Sequence, residues 1–548
     1  MTLPRRTGQG MLACLGAAVL VLALNASSPA FGAEYYVDPA TGSADGDGSA
    51  ESPWESLEQV VQDGHFGAVI QAGDTVWLRT GFHGELVISG GSFATPITIA
   101  AAPGETPRLR RVELTDTQGW VLSGLSISPS HSPEFESVTI ARISGSSSNV
   151  TIEKSLLFTV EDASGWSADD WDQLAANGIT ADGTNITLRE NVVQNVDFAI
   201  SVNASDSLVE GNVVDSYSGD GLRGLGDDIT FQYNLVKNSY NVNDNHDDGF
   251  QSWSVGPGGV GTGEVRGIIL RGNVFISSDD DPSRPLLRRA LQGIGCFDGM
   301  FVDWIVENNV IFTDHWHGIT FLGATNVRVI NNTVIDIDRE NSSTGPPWIQ
   351  IGDHKDGTPS TGNIVRNNLT SDLNLTSSGV TEDHNLIVGV SDKDALFVDP
   401  TPPAFDVHLV PGAPAIDAGS SDLAAATDIE GNPRPQGEGV DIGAFEWPSD
   451  PLKDLIALND ALPADVSAYK SRGHMSATLA RLEVVRRLVE AGQFDIAIRQ
   501  LESLQRRMDG CGDGPPADGD DWIVDCTVQN SVRKLVERRL IPSLIASQ

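Results

Sequence analysis

Two short segments gather the residue types that acid–base chemistry needs. Asn245-His246-Asp247-Asp248-Gly249-Phe250-Gln251-Ser252-Trp253 places an imidazole, two carboxylates, an amide and an indole in one run. Asp314-His315-Trp316-His317-Gly318 adds two imidazoles, an acid and a second indole. Both contain a frame of a variable residue, Gly and an apolar residue. The frame recurs as Asn177-Gly178-Ile179, Asp220-Gly221-Leu222, Asp248-Gly249-Phe250, Gln292-Gly293-Ile294 and His317-Gly318-Ile319. If it repeats once per coil of a parallel solenoid, equivalent positions stack about 4.8 Å apart. Asp220, Asp248, Gln292 and His317 then form one line, and Arg223, Gln251, Gly295 and Thr320 a neighbouring one. Ionisable side chains in such lines are costly unless they are exposed and used.

Groups of this kind suit two reactions on a sugar chain. In β-elimination, a base takes the C5 proton of a uronate while a cation neutralises its carboxylate as that becomes an enolate. His246 or His317 can act as the base, with His315 beside them. Arg223 or a Ca²⁺ ion can act as the cation, with Asp247 and Asp244 as candidate ligands. In hydrolysis, two carboxylates flank the glycosidic bond, and Asp220 and Asp248 on adjacent coils could supply them. The His-rich centre favours elimination. A metal site made of His246, Asp248 and His317 lacks sharp ligand spacing. Gln251, Trp253, Gln292 and Trp316 are the expected sugar contacts, and Arg289 and Lys355 the cations that would meet a polyanion. Binding of a glycan without catalysis is a reading of another class, told apart by whether His246 and His317 share a solvent-facing groove.

The elements that must position these residues are legible as a repeat. A β-branched strand, an Asn and a second apolar strand recur, as in Ile186–Val193, Leu208–Val214, Ile229–Val236 and Ile268–Phe275. Asn191 to Asn212 is 21 residues, Asn212 to Asn234 is 22 and Asn309 to Asn332 is 23. Period-two apolar alternation at this spacing, with no helix between, predicts an all-β parallel solenoid. The Asn is expected at a turn, tolerating a left-handed conformation and bonding to its neighbours along the stack. Longer intervals, 39 residues from Asn234 to Asn273 and 36 from Asn273 to Asn309, mark inserted loops beside the polar lines. Long loops on a rigid frame commonly wall a cleft.

The ends differ. Residues 1–33 read as a signal peptide, with Arg5 and Arg6 before the apolar run Met11 to Leu24 and small residues at the exit. Cys14 lies at the start of that run, where a lipid anchor is disfavoured. Glu34 begins an entry strand, and Leu57 to Gln62 a capping helix. The solenoid is expected over 34–448 and a small all-α domain over 449–548. Helical spacing runs through Leu479-Leu482-Val485-Val489 and Phe494-Ala497-Leu501-Leu504. Cys511 and Cys526 suit a local disulfide, and Cys296 a buried thiol. The net charge of −40 falls almost entirely before Pro451 and argues against nucleic acid and anionic membranes as partners. An exported monomer, secreted or periplasmic and not integral to a membrane, is the expectation.

The closing run Phe397-Val398-Asp399-Pro400, Asp406-Val407-His408-Leu409, Pro414-Ala415-Ile416-Asp417-Ala418-Gly419 and Asp441-Ile442-Gly443-Ala444-Phe445-Glu446 resembles that of secreted bacterial right-handed parallel β-helix proteins. That group contains alginate, chondroitin and pectate lyases, pectin hydrolases and C5-epimerases, and the helical tail is similar to modules found on some of them. The resemblance implies a polysaccharide partner. The chain lacks the Asn-Gly-Glu and Lys-Ser, Gly-His-Gly, and Tyr-Gly with Asp-Pro-His arrangements of those enzymes. No catalytic residue is therefore carried over.

Overall fold

The computed structural model describes residues 32–279, 284, 286–287, 291–337, 345–511 and 521–548. Nearly all of the expected signal peptide, Arg289 and much of the two loops around 279–290 and 338–344 lie outside the described residues.

The repeat builds three long parallel sheets of 13, 11 and 12 strands. The first runs from Glu34–Val37 to Val380–Asp383, the second from Leu86–Ser89 to Asp372–Leu375, and the third from Gly81–Phe82 to Leu386–Ile387. One coil takes one strand from each, as in Thr184–Arg189, Val192–Val196 and Ile200–Val202. Crossovers between parallel strands are right-handed, so the body is a right-handed parallel β-helix. Its inward columns stay in register over many coils. Leu188, Val209, Phe231, Leu270, Val306, Val329 and Val365 face one another in turn, all buried. Removing such columns from water is the main force that closes the coils.

The Asn ladder forms, but its geometry differs from expectation. Asn191, Asn212, Asn234, Asn273, Asn309, Asn332 and Asn368 are buried, and each of the first six donates both its backbone N–H and its Nδ2 to Oδ1 of the next. The left-handed residue is the one before each Asn, with φ of 55–63° at Glu190, Gly211, Tyr233, Gly272, Asn308, Asn331 and Asn367. Turning the chain one residue early lets the Asn side chain point inward, where its amide replaces the backbone pairing lost at the corner.

The helix Leu57–Gln62, capped by Ser56, buries Leu57 and Val60 over the first coils. At the other end, Phe397–Asp399 and Asp406–Leu409 pair antiparallel, and the closing segment is pinned by the buried Arg434–Glu446 ion pair. The tail forms helices Pro451–Asp460, Arg472–Glu490, Phe494–Gln505, Cys526–Leu535 and Ile541–Ala546 around their own apolar core. A Cys511–Cys526 disulfide staples it, and Cys296 is a buried free thiol. Buried Arg539, held within the tail by Asp454 at 2.6 Å, docks it on the β-helix by binding Glu430 at 2.9 Å. Among the described residues, no helix is long and apolar enough to cross a membrane.

Candidate active site

The variable-Gly-apolar frame falls where the third sheet turns into the second. At Gly221, Gly249, Gly293 and Gly318 an added Cβ would sit 2.3–2.7 Å from a core side chain. Only glycine lets the chain press onto the core there, and this throws the preceding side chain outward. Asp248 pairs with Gln292, and Ile294 with Ile319, so Gln292 and His317 are next in the same line. Arg223 faces Gln251, Gln251 faces Gly295, and Gly295 faces Thr320. Both expected lines therefore exist on the outer face of the second sheet.

Their burial departs from expectation. Asp220 and Asp248 are 1% and 0% exposed and Gln292 is buried, although the line was expected to be open to solvent. The cause is the residue three positions on, which folds back over each acid. Arg223 Nε donates to Asp220 Oδ2 at 2.6 Å, and Gln251 Nε2 to Asp248 Oδ2 at 2.8 Å. Asp220 Oδ1 also accepts the Asp248 N–H at 3.0 Å. Asp248 leans over Gly295, where a Cβ would lie 2.0 Å from its Oδ1, and that oxygen is buried without a partner among the described residues. Gln292 Oε1 is likewise buried and has no partner among the described residues. Buried Asp247 accepts from Ser239 at 2.7 Å and from Asn245 at 3.4 Å, whereas Asp244 is exposed.

The acid end also contains Asp197, which the frame did not flag because its coil reads Phe198-Ala199-Ile200. Burial is the largest influence on all of these carboxyls. It raises Asp197 to about 6, with Asp220 adding and Arg223 opposing, and Asp247 to about 8, with Asp220 adding. Asp248 is raised well above the carboxylate range by burial and then by Asp220. Burial raises Asp220 too, against the pull of Arg223, so of these two neighbours Asp248 keeps its proton more firmly.

Arg223 is held rigidly. Its guanidinium carbon lies 3.5 Å from the Phe198 ring centroid and 5.3 Å from that of Trp253, and Nε is fixed on Asp220. The two terminal nitrogens have no partner among the described residues. Beside Arg223 a groove of about 500 Å³ opens, lined by Thr180, Ser201, Asn203 and Trp253 among others. Lys355 is exposed and bonds Asp298 at 2.8 Å, the residue in register with Trp253, so it lies at that edge.

The imidazole end lies two coils along. His315 and His317 have ring centroids 5.2 Å apart, and burial followed by imidazole repulsion, from His246 in both cases, lowers each to about 4. The third imidazole, His246, is exposed. Trp316, 38% exposed, lies outside the coil and stacks nearly parallel to Trp348 at 6.0 Å. His317 packs edge-on against Trp348 and Phe297, at 5.3 and 4.9 Å. Trp348 reaches the line through a register shift between His317 and Ile319.

No family model matches the chain, and no curated protein matches it either. Among solved structures it is similar to the pectate lyase Pel9A, with 17% identity, a TM-score of 0.43, and 75% of this chain and 96% of that one covered. A rhamnogalacturonan lyase matches at 14% identity and a TM-score of 0.32, covering 69% of this chain and 95% of that one. The GH136 lacto-N-biosidase from Eubacterium ramulus matches at 12% and 0.39, covering 65% and 68%. No residue of the site is assigned from these likenesses.

Proposed function

We propose that the chain is an exported, monomeric polysaccharide lyase that cleaves a uronate-containing glycan on the outer face of its second sheet. The observation that carries this reading is the Arg223 guanidinium, packed against Phe198 and Trp253 and fixed at Nε, with its terminal nitrogens unpartnered among the described residues. A planar, pre-oriented guanidinium matches a carboxylate in two-point geometry. His246, exposed and without a ring hydrogen bond among the described residues, takes the C5 proton. The electron pair left at C5 forms the C4–C5 double bond as the C4–O bond breaks, and Asp197 supplies the proton to the departing oxygen. Trp316 and Trp348 offer stacking surfaces for neighbouring sugars, and Lys355 favours an anionic chain. The disulfide accords with an oxidising compartment.

The acid end bears on the cofactor. Asp220, Asp247 and Asp248 are hard oxygen donors and Asp248 Oδ1 lacks a partner among the described residues, which fits the chemistry of Ca²⁺. Among the described residues, however, no three His, Cys, Asp or Glu side chains are gathered for a metal. Bound there, the ion would take the place of the protons on Asp247 and Asp248 and offset the charge of the uronate.

A second reading is glycoside hydrolysis, favoured by the unlike settings of Asp248, raised well above the carboxylate range, and Asp220, where the Arg223 guanidinium opposes the rise that burial causes. Purified protein incubated with galacturonate, mannuronate–guluronate and glucuronate polymers separates the two. Elimination gives ultraviolet-absorbing unsaturated ends in step with reducing ends, and EDTA suppresses both. Reducing ends without that absorbance would replace the lyase by the hydrolase.

A further inference from the structure

The ring nitrogens at the imidazole end are partly committed. His315 Nδ1 accepts the backbone N–H of His317 at 3.1 Å, a bond that only an unprotonated nitrogen can accept. The neutral ring must therefore carry its proton on Nε2. The Thr320 hydroxyl is fully buried, accepts the Trp348 indole N–H at 3.3 Å and lies 2.9 Å from His317 Nδ1. A hydroxyl has one proton, and buried polar groups pair. Among the described residues the acceptor in reach of that proton is His317 Nδ1, so His317 too carries its proton on Nε2. Neither Nε2 has a partner among the described residues. Both rings also remain uncharged, since burial and the neighbouring imidazoles, His246 included, hold each at about 4.

We propose that His315 and His317 serve as a pair of neutral Nε2–H hydrogen-bond donors, with Thr320 and Trp348 as the positioning residues that set the His317 tautomer. Fixed neutral donors stabilise negative charge on a bound group without accepting a proton from it. This rests on the reading of the face as a glycan site only for its use, because the tautomers exist without substrate. It also explains why the base is His246, whose ring alone of the three is unanchored.

Long-range ¹⁵N–¹H correlation spectra of protein labelled with [¹⁵N]histidine test the proposal without any glycan. At pH 7 both rings should give the Nε2–H pattern and keep it to pH 5. Thr320→Val should move His317 to the Nδ1–H tautomer or a mixture while leaving His315 unchanged, and Thr320→Ser should restore it. An Nδ1–H pattern for either ring in the wild-type protein, or titration of either near the unperturbed value of about 6.5, would overturn it. So would a Thr320→Val spectrum identical to wild type. Failure of the lyase assay leaves these spectra untouched, so the two readings fail separately.

Discussion

Replacing Asp247 by Asn should change how the stability of the β-helix depends on pH. Asp247 is raised to about 8, chiefly by burial, with its oxygens on Ser239 and Asn245. In the unfolded chain an Asp ionises near about 3.9. Between these values the folded state keeps a proton that the unfolded state has lost. Stability therefore falls by about 1.4 kcal/mol per pH unit. It is fully present below the unfolded value and lost as pH rises through the folded one. From pH 5 to pH 8 this one group accounts for roughly 3–4 kcal/mol, as a ceiling, at that slope. Asn keeps the size and cannot ionise, so urea midpoints of the variant, followed by Trp fluorescence, should fall by that much less over the same range. Millimolar Ca²⁺ should flatten the wild-type curve if the ion occupies the acid end. Parallel curves for wild type and Asp247→Asn would refute the assignment of a buried, protonated carboxyl.

Other perturbations test separate parts of the structure. Gly295→Ala would put a methyl 2.0 Å from Asp248 Oδ1. It should leave circular dichroism unchanged and lower activity by about a hundredfold, as displacements near 1 Å at a reacting centre can. Asn273→Ala removes the shared acceptor of the Asn234 N–H and Nδ2 and should cost about 2–4 kcal/mol in denaturant titration for two orphaned donors. Cys511→Ser opens the disulfide across a separation of 15 residues. It should weaken the helical tail by about 3 kcal/mol, read as faster tail proteolysis with the β-helix intact.

The solenoid was legible because its interior enforces one residue type per column over many coils, so Leu188 and Val365 announce the same constraint six coils apart. The polar lines were legible because glycine is required at the corners of Gly221, Gly249, Gly293 and Gly318. Burial of Asp220 and Asp248 was not legible, since it depends on Arg223 and Gln251 folding back along the strand. Asp197 and Phe198 escaped because that coil fits Ala199 where others need Gly. Trp348 escaped because a register shift, invisible in spacing, brings it beside His317. The tautomers of His315 and His317 depend on a backbone N–H and a hydroxyl, which residue types alone do not place.

The central claim is that the outer face of the second sheet, from Asp197 to Trp348, holds the sugar chain. A crystal structure of His246→Ala with a uronate oligosaccharide, chosen from the polymer that the wild-type protein degrades, tests it most directly. The sugar should lie along that face with a carboxylate on the terminal nitrogens of Arg223 and a ring against Trp316. An oligosaccharide seated elsewhere on the molecule, with Arg223 uncontacted, would contradict it.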